Sequence, residues 1–445
     1  MTVDPTEPLN QLDVRGIARA LSQIADRPGD LADAFFERAE VVELPPETCS
    51  PGLRMRREEG LAVRLLRGGN SWLAARDRVD RDSFHDALRR TARAMPRAPY
   101  PLPDIEWPRW SQPLEAAEVQ EFPSRFFEAL RLRDTEISAR LSIRRFHRSL
   151  RVVGSEVSAG VETESFYSLE AESQEGRRGL LVTSLIGDDA QDAAKQLAAR
   201  LSRARSARDA APPDESEGVV VLGPAATAVL LHEAVAHALE ADLLALDGHP
   251  EGAIGVQLGS NLLDLFDDPS DAPTGVKRTA DDEGFPVVRR CLLRAGKVEQ
   301  PLADAQWAHR SELLVAGAGR RGTRHDVPGP RSSHLHLVAG ESTDLFADAE
   351  GGLFFSEAER GRLDPASGFF TLVFPWGQRI LNQTPGPSVG RATLRAHVSD
   401  LLHAVRGVGK EVHVAGAGWC AKDGILLPVW ATAPGIRLEG LEVGP

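Results

Sequence analysis

The chain has 445 residues, of which 42% are hydrophobic and 26% charged, with a formal net charge of −13. That length predicts two or three domains with substantial cores. The negative balance argues against nucleic-acid binding driven by phosphate neutralisation. The three cysteines Cys49, Cys291 and Cys420 cannot build a disulfide framework. Apart from one helix studded with ionisable groups, no apolar run reaches the roughly 18–20 residues that cross a membrane. The opening MTVDPTEPLNQLDVRG carries no signal-peptide pattern. The expectation is a cytoplasmic protein with neither a nucleic-acid nor a membrane partner.

Residues 1–113 read as an N-terminal α/β unit. Asn10–Ile24 has the period of an amphipathic helix, and Asp30–Leu44 reads as a strand after a helical turn. Gly60–Leu66 and Ser71–Ala75 alternate on either side of Gly68-Gly69, a hairpin signal. Asp82–Met95 reads as a helix capped by Asp82, with arginines at its end that suit the helix dipole. Pro96–Pro113 holds six prolines beside Tyr100, Trp107 and Trp110. Such a stretch is an extended, semi-rigid connection; a ligand for a proline-recognition domain is the sharper alternative.

Residues 114–217 read as a central antiparallel sheet unit and linker. Glu118–Arg131 has helical character despite Pro123. The strands Glu136–Arg148, Leu150–Val153, Gly160–Glu172 and Leu180–Ile186 then form a meander closed by a helix, Asp189–Arg205. Arginines 131, 133, 140, 144, 145, 148 and 151 read as a solvated sheet face, with an acidic partner surface as the alternative. Ser206–Glu217 is a linker rich in Ala, Pro and acid.

Residues 218–445 read as a β-rich unit around one buried helix. Val219–Leu222 is a buried strand, and Gly223-Pro224 breaks it where proline suits a first helical turn. A helix of about twenty residues then runs to Asp247-Gly248. It is apolar on every face, yet it holds His232, Glu233, His237 and Glu240. Four buried ionisable groups are costly unless compensated; a bound metal would compensate them, and the alternative is two satisfied core histidines beside a chance glutamate. The histidines are five apart, about 140° around a regular helix, so a π-bulge near Ala234–Ala236 is needed to bring both rings to one face. Glu240, three residues after His237, is placed to hold that ring from behind.

Further on, short strands are expected at Ala253–Leu258, Pro286–Leu293, Ser333–Val338, Gly352–Ser356, Phe369–Phe374 and Glu411–Ala415. Ala295-Gly296 marks a hairpin. Arg391–Val405 reads as an amphipathic helix with Leu394, Val398, Leu401 and Leu402 inward. Ala316–Ser332, crowded with Gly, Arg and Pro, reads as a mobile loop, either a lid over substrate or plain disorder. His334 and His336, two apart in a strand, are the rival metal pair. His249, His309, His325, His397, His403 and His413 have no partner spacing, and Cys291 reads as an ordinary buried thiol.

The segment His232-Glu233-Ala-Val-Ala-His237-Ala-Leu-Glu240 resembles the H-E-x-x-x-H signature of the TldD/PmbA metallopeptidase family. Gly418-Trp-Cys420-Ala-Lys422-Asp-Gly424, with Pro428, Arg437 and Val443-Gly444 behind it, is similar to that family's C-terminal block. Asp281-Asp282-Glu283-Gly284 is similar to its acidic turn. The resemblance implies a zinc peptidase with His232, His237 and Cys420 as ligands and Glu233 as general base on a zinc-activated water. It also implies short or unfolded peptide substrates and a dimer, of two copies or with a related paralogue, around an internal chamber. A thiolate ligand lowers the charge at the site, so modest turnover is expected. One departure is Ala236, where the family usually has glycine, which bears on rate more than on binding. The alternatives are a non-catalytic partner subunit of such a dimer and a metal-stabilised binding scaffold. The fold expected is α+β: an N-terminal α/β unit and an antiparallel sheet unit, then a β-rich metallopeptidase domain around the HExxxH helix.

Overall fold

The computed structural model describes residues 7–44, 54–93, 105, 107, 125–126, 128–130, 139–173, 180–186, 189–207, 209–214, 216–244, 253–273, 275–311 and 314–445. Most of the expected connection Pro96–Pro113 lies outside these residues, as do Cys49, Arg131, Arg133 and the helix stop at Asp247-Gly248.

Two helices open the chain, α1 (Glu7–Asn10) and α2 (Val14–Ser22), the second capped by Asp13, whose side chain accepts from Gly16 N. Strand β1 (Leu31–Leu44) is followed by the hairpin β2 (Arg54–Arg67) and β3 (Asn70–Arg76), which turns at Gly68 and Gly69, both at positive φ. Helix α3 spans Arg81–Ala92 and is capped by Asp80, two residues before the cap expected at Asp82. Then come β4 (Ala139–Gly154), β5 (Ser158–Ser173) and β6 (Leu180–Ile186). The expected break between Arg148 and Leu150 is absent, because β4 is continuously paired with β1 on one side and β5 on the other.

All six strands belong to one antiparallel sheet in the order β3-β2-β1-β4-β5-β6. Strands on both sides of residue 113 therefore share a sheet. Its two faces differ sharply, as strand alternation allows. One face buries Phe36, Val63, Leu65 and Val153 under α2 and α3, and Ile143, Tyr167 and Leu169 under the helix Ala190–Ser206. The other face carries Asp33, Glu37, Arg64, Arg148 and Glu164 among Phe35, Leu150 and Val152, and this charged face is also buried. Arg148 thus departs from the solvated face expected of it: it lies over the Phe35 ring and pairs with Glu37 at 3.2 Å.

The second sheet is organised on the strand Ile425–Gly444. That strand pairs with Val405–Lys422, with β7 (Ser216–Leu222), with Ala392–His397 and, in parallel, with His334–Leu337. The largest apolar core lies between this sheet and the helical segment after β7. The expected helix Arg391–Val405 divides here: Ala392–His397 is a strand and only Val398–His403 is helical. Pairing with Phe369–Phe374, which sets Leu394 against Leu372, overrides the local helical period. At the Ala295-Gly296 turn both residues have positive φ, and it joins Arg290–Arg294 to Lys297–Val298.

Ala316–Ser332 is folded rather than disordered. Gly319–Arg320 pairs with Gly329–Pro330, and Arg320, Arg321, Arg324 and Arg331 are all buried. Arg321 donates to Asp33 at 3.2 Å and Arg324 to Glu37 at 3.0 Å. The acidic turn at Asp281–Glu283 faces the same buried surface. Asp281 accepts from the N–H groups of Glu283, Phe285 and Gly319, Asp282 pairs with Arg278, and Glu283 pairs with Arg64. Burial and the neighbouring Glu283 push the Asp281 carboxyl up to about 8. Buried Asp282 is nonetheless held below the usual carboxylate range by Arg278, Arg148 and Arg320.

Candidate metal centre

Helix Pro224–Leu230 starts with its proline at the first turn and passes directly into a π-helix, Leu231–Ala236. The widened turn that the five-residue histidine spacing requires is present. It sets the His232 and His237 rings with centroids 4.8 Å apart at 64°. Ala236 is fully buried in this turn. After Leu239 the helix is interrupted, and Glu240 forms a bridge with Leu302.

Cys420 arrives on the long strand Val405–Lys422 rather than in a turn. It stands opposite Leu427, just beyond a register shift between Gly416 and Gly418. Its sulfur is 3.6 Å from His237 Nε2, although the two residues are 183 positions apart. One donor atom from each of His232, His237 and Cys420 falls within a 4.8 Å cluster.

Both imidazoles are tethered from behind. His232 Nδ1 meets Ser332 Oγ at 3.2 Å, and His237 Nδ1 meets Glu240 Oε2 at 2.8 Å. These bonds leave the Nε2 atoms as the inward-facing donors. His232 Nε2 is buried and has no hydrogen-bond partner among the described residues. A buried nitrogen in that state calls for a ligand. A tetrahedral zinc with Zn–N of about 2.0 Å and Zn–S of about 2.3 Å holds its N and S donors about 3.5 Å apart. The Cys420–His237 separation matches that spacing, the three donors lie within 4.8 Å of one another, and two imidazoles with a thiol are a donor set that fits such an ion.

Electrostatics follow from burial. Desolvation, reinforced by His237, pulls the His232 pKa down to about 3, so its ring is neutral at ordinary pH. Burial lifts the Glu233 carboxyl to about 7, against the opposing pull of His237. Burial lowers the His237 pKa, but the Glu240 carboxylate and Cys420 outweigh it and raise the net value. Glu233 Oε2 is 3.8 Å from His237 Nε2, on the donor side of the ring. The strand Arg360–Leu363 packs against the aliphatic stem of Glu233. A Cβ at Gly361 would lie 2.6 Å from Glu233 Cβ and 2.7 Å from its Cγ, so only glycine fits without displacing Glu233.

The rival pair is not assembled. His334 spends Nδ1 on the Asp268 carbonyl at 3.2 Å and Nε2 on Thr432 Oγ1 at 2.9 Å, while His336 lies half-buried beside Asp271. Cys291 is half-buried and donates to the Leu293 carbonyl. The sequence assigns no role to Ser332, Gly361, Asp242 or Lys422, since each acts through a contact distant in the chain. Lys422 alone left a trace, two residues from Cys420 and so on the same strand face.

Residues 215–445 match the model of the PmbA/TldA metallopeptidase C-terminal domain. Curated relatives include a protein named Metalloprotease TldD homolog from Haemophilus influenzae, 30% identical over 229 residues, 51% of this chain and 48% of that one. Another is named Metalloprotease, from Methanothermobacter thermautotrophicus, 29% identical over 53% of this chain and 52% of that protein. A protein named Zinc metalloprotease TldD homolog, from Saccharolobus solfataricus, is 22% identical over 52% of each chain. The matched portion is about half the length of these relatives. The fold is similar to the crystal structure of TldE from Thermococcus kodakarensis, with a TM-score of 0.73 and 17% identity over 97% of this chain and 99% of that one. A Thermotoga maritima structure gives a TM-score of 0.71 and 18% identity over 96% and 99%. With the family model covering more than half of its length, this chain belongs to the PmbA/TldD metallopeptidase family.

Proposed function

We propose that the chain is a zinc-dependent peptidase of short or unfolded peptides, with residues 218–445 as its metallopeptidase domain behind units at 1–113 and 114–217. The observation that carries this is the three-donor cluster, whose histidines are both fixed through Nδ1 so that Nε2 faces inward. His232, His237 and Cys420 would hold the ion, which supplies a Lewis acid for the scissile carbonyl and lowers the pKa of an attacking water. Glu233 receives that water's proton at its carboxylate and returns it to the leaving amine. Its partly buried site keeps bulk water from competing for the proton. Glu240 holds the His237 ring.

Substrate enters as an added strand in this reading. The strand Arg360–Leu363 pairs with Phe369–Phe374 along one edge, and the other edge has no paired strand among the described residues. Gly361 of that strand abuts Glu233, so a peptide aligned there passes the base. Main-chain pairing favours extended, unfolded segments over folded proteins.

The name of one relative supports zinc, and likeness to TldE supports a TldD/TldE-type partnership, formed with a second copy or a paralogue; the cytoplasm is the compartment proposed. A binding scaffold with structural zinc would require a fourth protein donor, and the cluster among the described residues comprises three. A non-catalytic subunit would have no need of Glu233. Metal analysis and peptide hydrolysis of wild type and Glu233→Gln test the proposal: zinc is expected in both, with hydrolysis reduced about 10²- to 10⁴-fold in the variant. Equal hydrolysis rejects Glu233 as base.

A further inference from the structure

We infer that Lys422 is a positioning residue for the metal centre, acting through Glu240 on the ring of His237. This rests on the metal reading above. Lys422 Nζ donates to Glu240 Oε2 at 2.7 Å and to both carboxylate oxygens of Asp242 at 2.7 Å. Glu240 Oε2 is the same atom that meets His237 Nδ1 at 2.8 Å. An unbroken chain therefore runs from Asp242 through Lys422 and Glu240 to the ring.

The geometry is a two-by-two lock. Cys420 and Lys422 are two apart in a strand and so project to one face. Glu240 lies three residues after His237, just past the end of the helix, and its carboxylate turns back to the ring. The strand's sulfur meets His237 and its ammonium meets Glu240. One contact sets the register for the other: a strand shifted by one residue presents neither group.

The charge requirement points the same way. Glu240 is completely buried and its Oε1 has no partner among the described residues, so the Lys422 ammonium at 2.7 Å is a main part of what balances its charge, together with His237 and Arg331. Without Lys422, Glu240 Oε2 loses the donor that holds it in line with His237 Nδ1 and lies next to Asp242 with no ammonium between them, so the carboxylate is free to turn away and release the ring. Arg331 draws the third segment into the knot. It donates to the Lys422 carbonyl at 3.3 Å and sits 3.8 Å from Asp242, and its neighbour Ser332 meets His232. Helix, loop and strand are thereby joined immediately behind the donors.

The test is zinc affinity by chelator competition on the full chain, for wild type, Lys422→Met, Lys422→Arg, Glu240→Gln and the double variant Lys422→Met/Glu240→Gln. Partners behind a metal ligand are typically worth about 10- to 100-fold in metal affinity, and that loss is expected for Lys422→Met. Lys422→Arg, which keeps the charge and the donors, is expected to recover most of it. Because Lys422 acts through Glu240, the double variant is expected to match Glu240→Gln. The double variant also removes both charges, so it supplies the measurement if Lys422→Met alone fails to fold. Wild-type affinity in Lys422→Met, or losses that multiply in the double variant, would overturn the role of Lys422 alone. A wild-type chain that binds no zinc sinks the metal reading with it.

Discussion

Arg64 and Glu283 lie 219 positions apart in the chain and meet through a 2.5 Å hydrogen bond. The same guanidinium holds Asp33 at 2.6 Å on the neighbouring strand, and all three side chains are nearly or fully buried. Glu283 also accepts from the N–H of Ala305 at 2.7 Å. The six-stranded sheet is thus keyed to the C-terminal part of the chain by buried charge.

Removing one partner of such a pair leaves the other charge buried and uncompensated, which typically costs about 3–5 kcal/mol. Arg64→Ala is therefore expected to lower unfolding free energy by about that amount in a denaturant titration. Arg56→Ala removes an exposed arginine paired with Glu58 and is expected to change it by less than about 1 kcal/mol. Similar effects from the two substitutions would show that the buried network contributes little.

The Gly361–Glu233 contact predicts a sharper effect on rate than on binding. In Gly361→Ala the new methyl overlaps Glu233 Cβ and Cγ and shifts the carboxylate or the strand. A misplacement of about 1 Å can cost about 10²-fold in rate, so hydrolysis is expected to fall towards that level with zinc content unchanged. Full activity in the alanine variant would place the proton transfer elsewhere.

Cys420 tests the third donor. Its sulfur is 3.6 Å from His237 Nε2 and the residue is buried. In Cys420→Ala, zinc measured after dialysis is expected to fall well below stoichiometric. Hydrolysis should fall with it and partly return with excess zinc. Unchanged zinc content would remove the sulfur from the site.

His147 provides a pH signature away from the metal centre. Burial, then the charges of Arg145 and Arg38, lower its pKa to about 4, and Glu40 stands opposite it on β1. The unfolded chain takes up this proton as pH falls through about 6.5, whereas the folded chain resists until about 4. Stability contributed by the neutral ring is present above the unfolded value and is lost as pH falls towards the folded one. Between about pH 7 and about pH 5, His147→Gln is expected to lose less unfolding free energy than wild type. Equal losses would show that the ring titrates alike in both states.

What could be read from the chain alone was whatever depends on neighbours in sequence. The Gly68-Gly69 turn and Gly296 need positive φ, and glycine declares it locally, whereas Ala295 takes positive φ without such a mark. The spacing of His232 and His237 demanded a widened helical turn, because a regular helix points the rings apart. Strand alternation in β5 and β6 and the helix capped by Asp189 were legible for the same reason.

Contacts between distant segments were decided only when the chain folded. Arg391–Val405 has an inward leucine pattern that suits a helix, but pairing with Phe369–Phe374 made its first half a strand. Arg148, Arg320, Arg321 and Arg324 are polar residues that ordinarily face water. Only the carboxylates of Asp33, Glu37, Glu164 and Asp282, brought in from elsewhere in the chain, make their burial tolerable. The chain alone gave Cys420 no more than a place in a motif, and its distance to His237 follows from the pairing of the final two strands. Short-range geometry is written into residue type and spacing; the pairing of buried charges and metal donors is a property of the packed molecule.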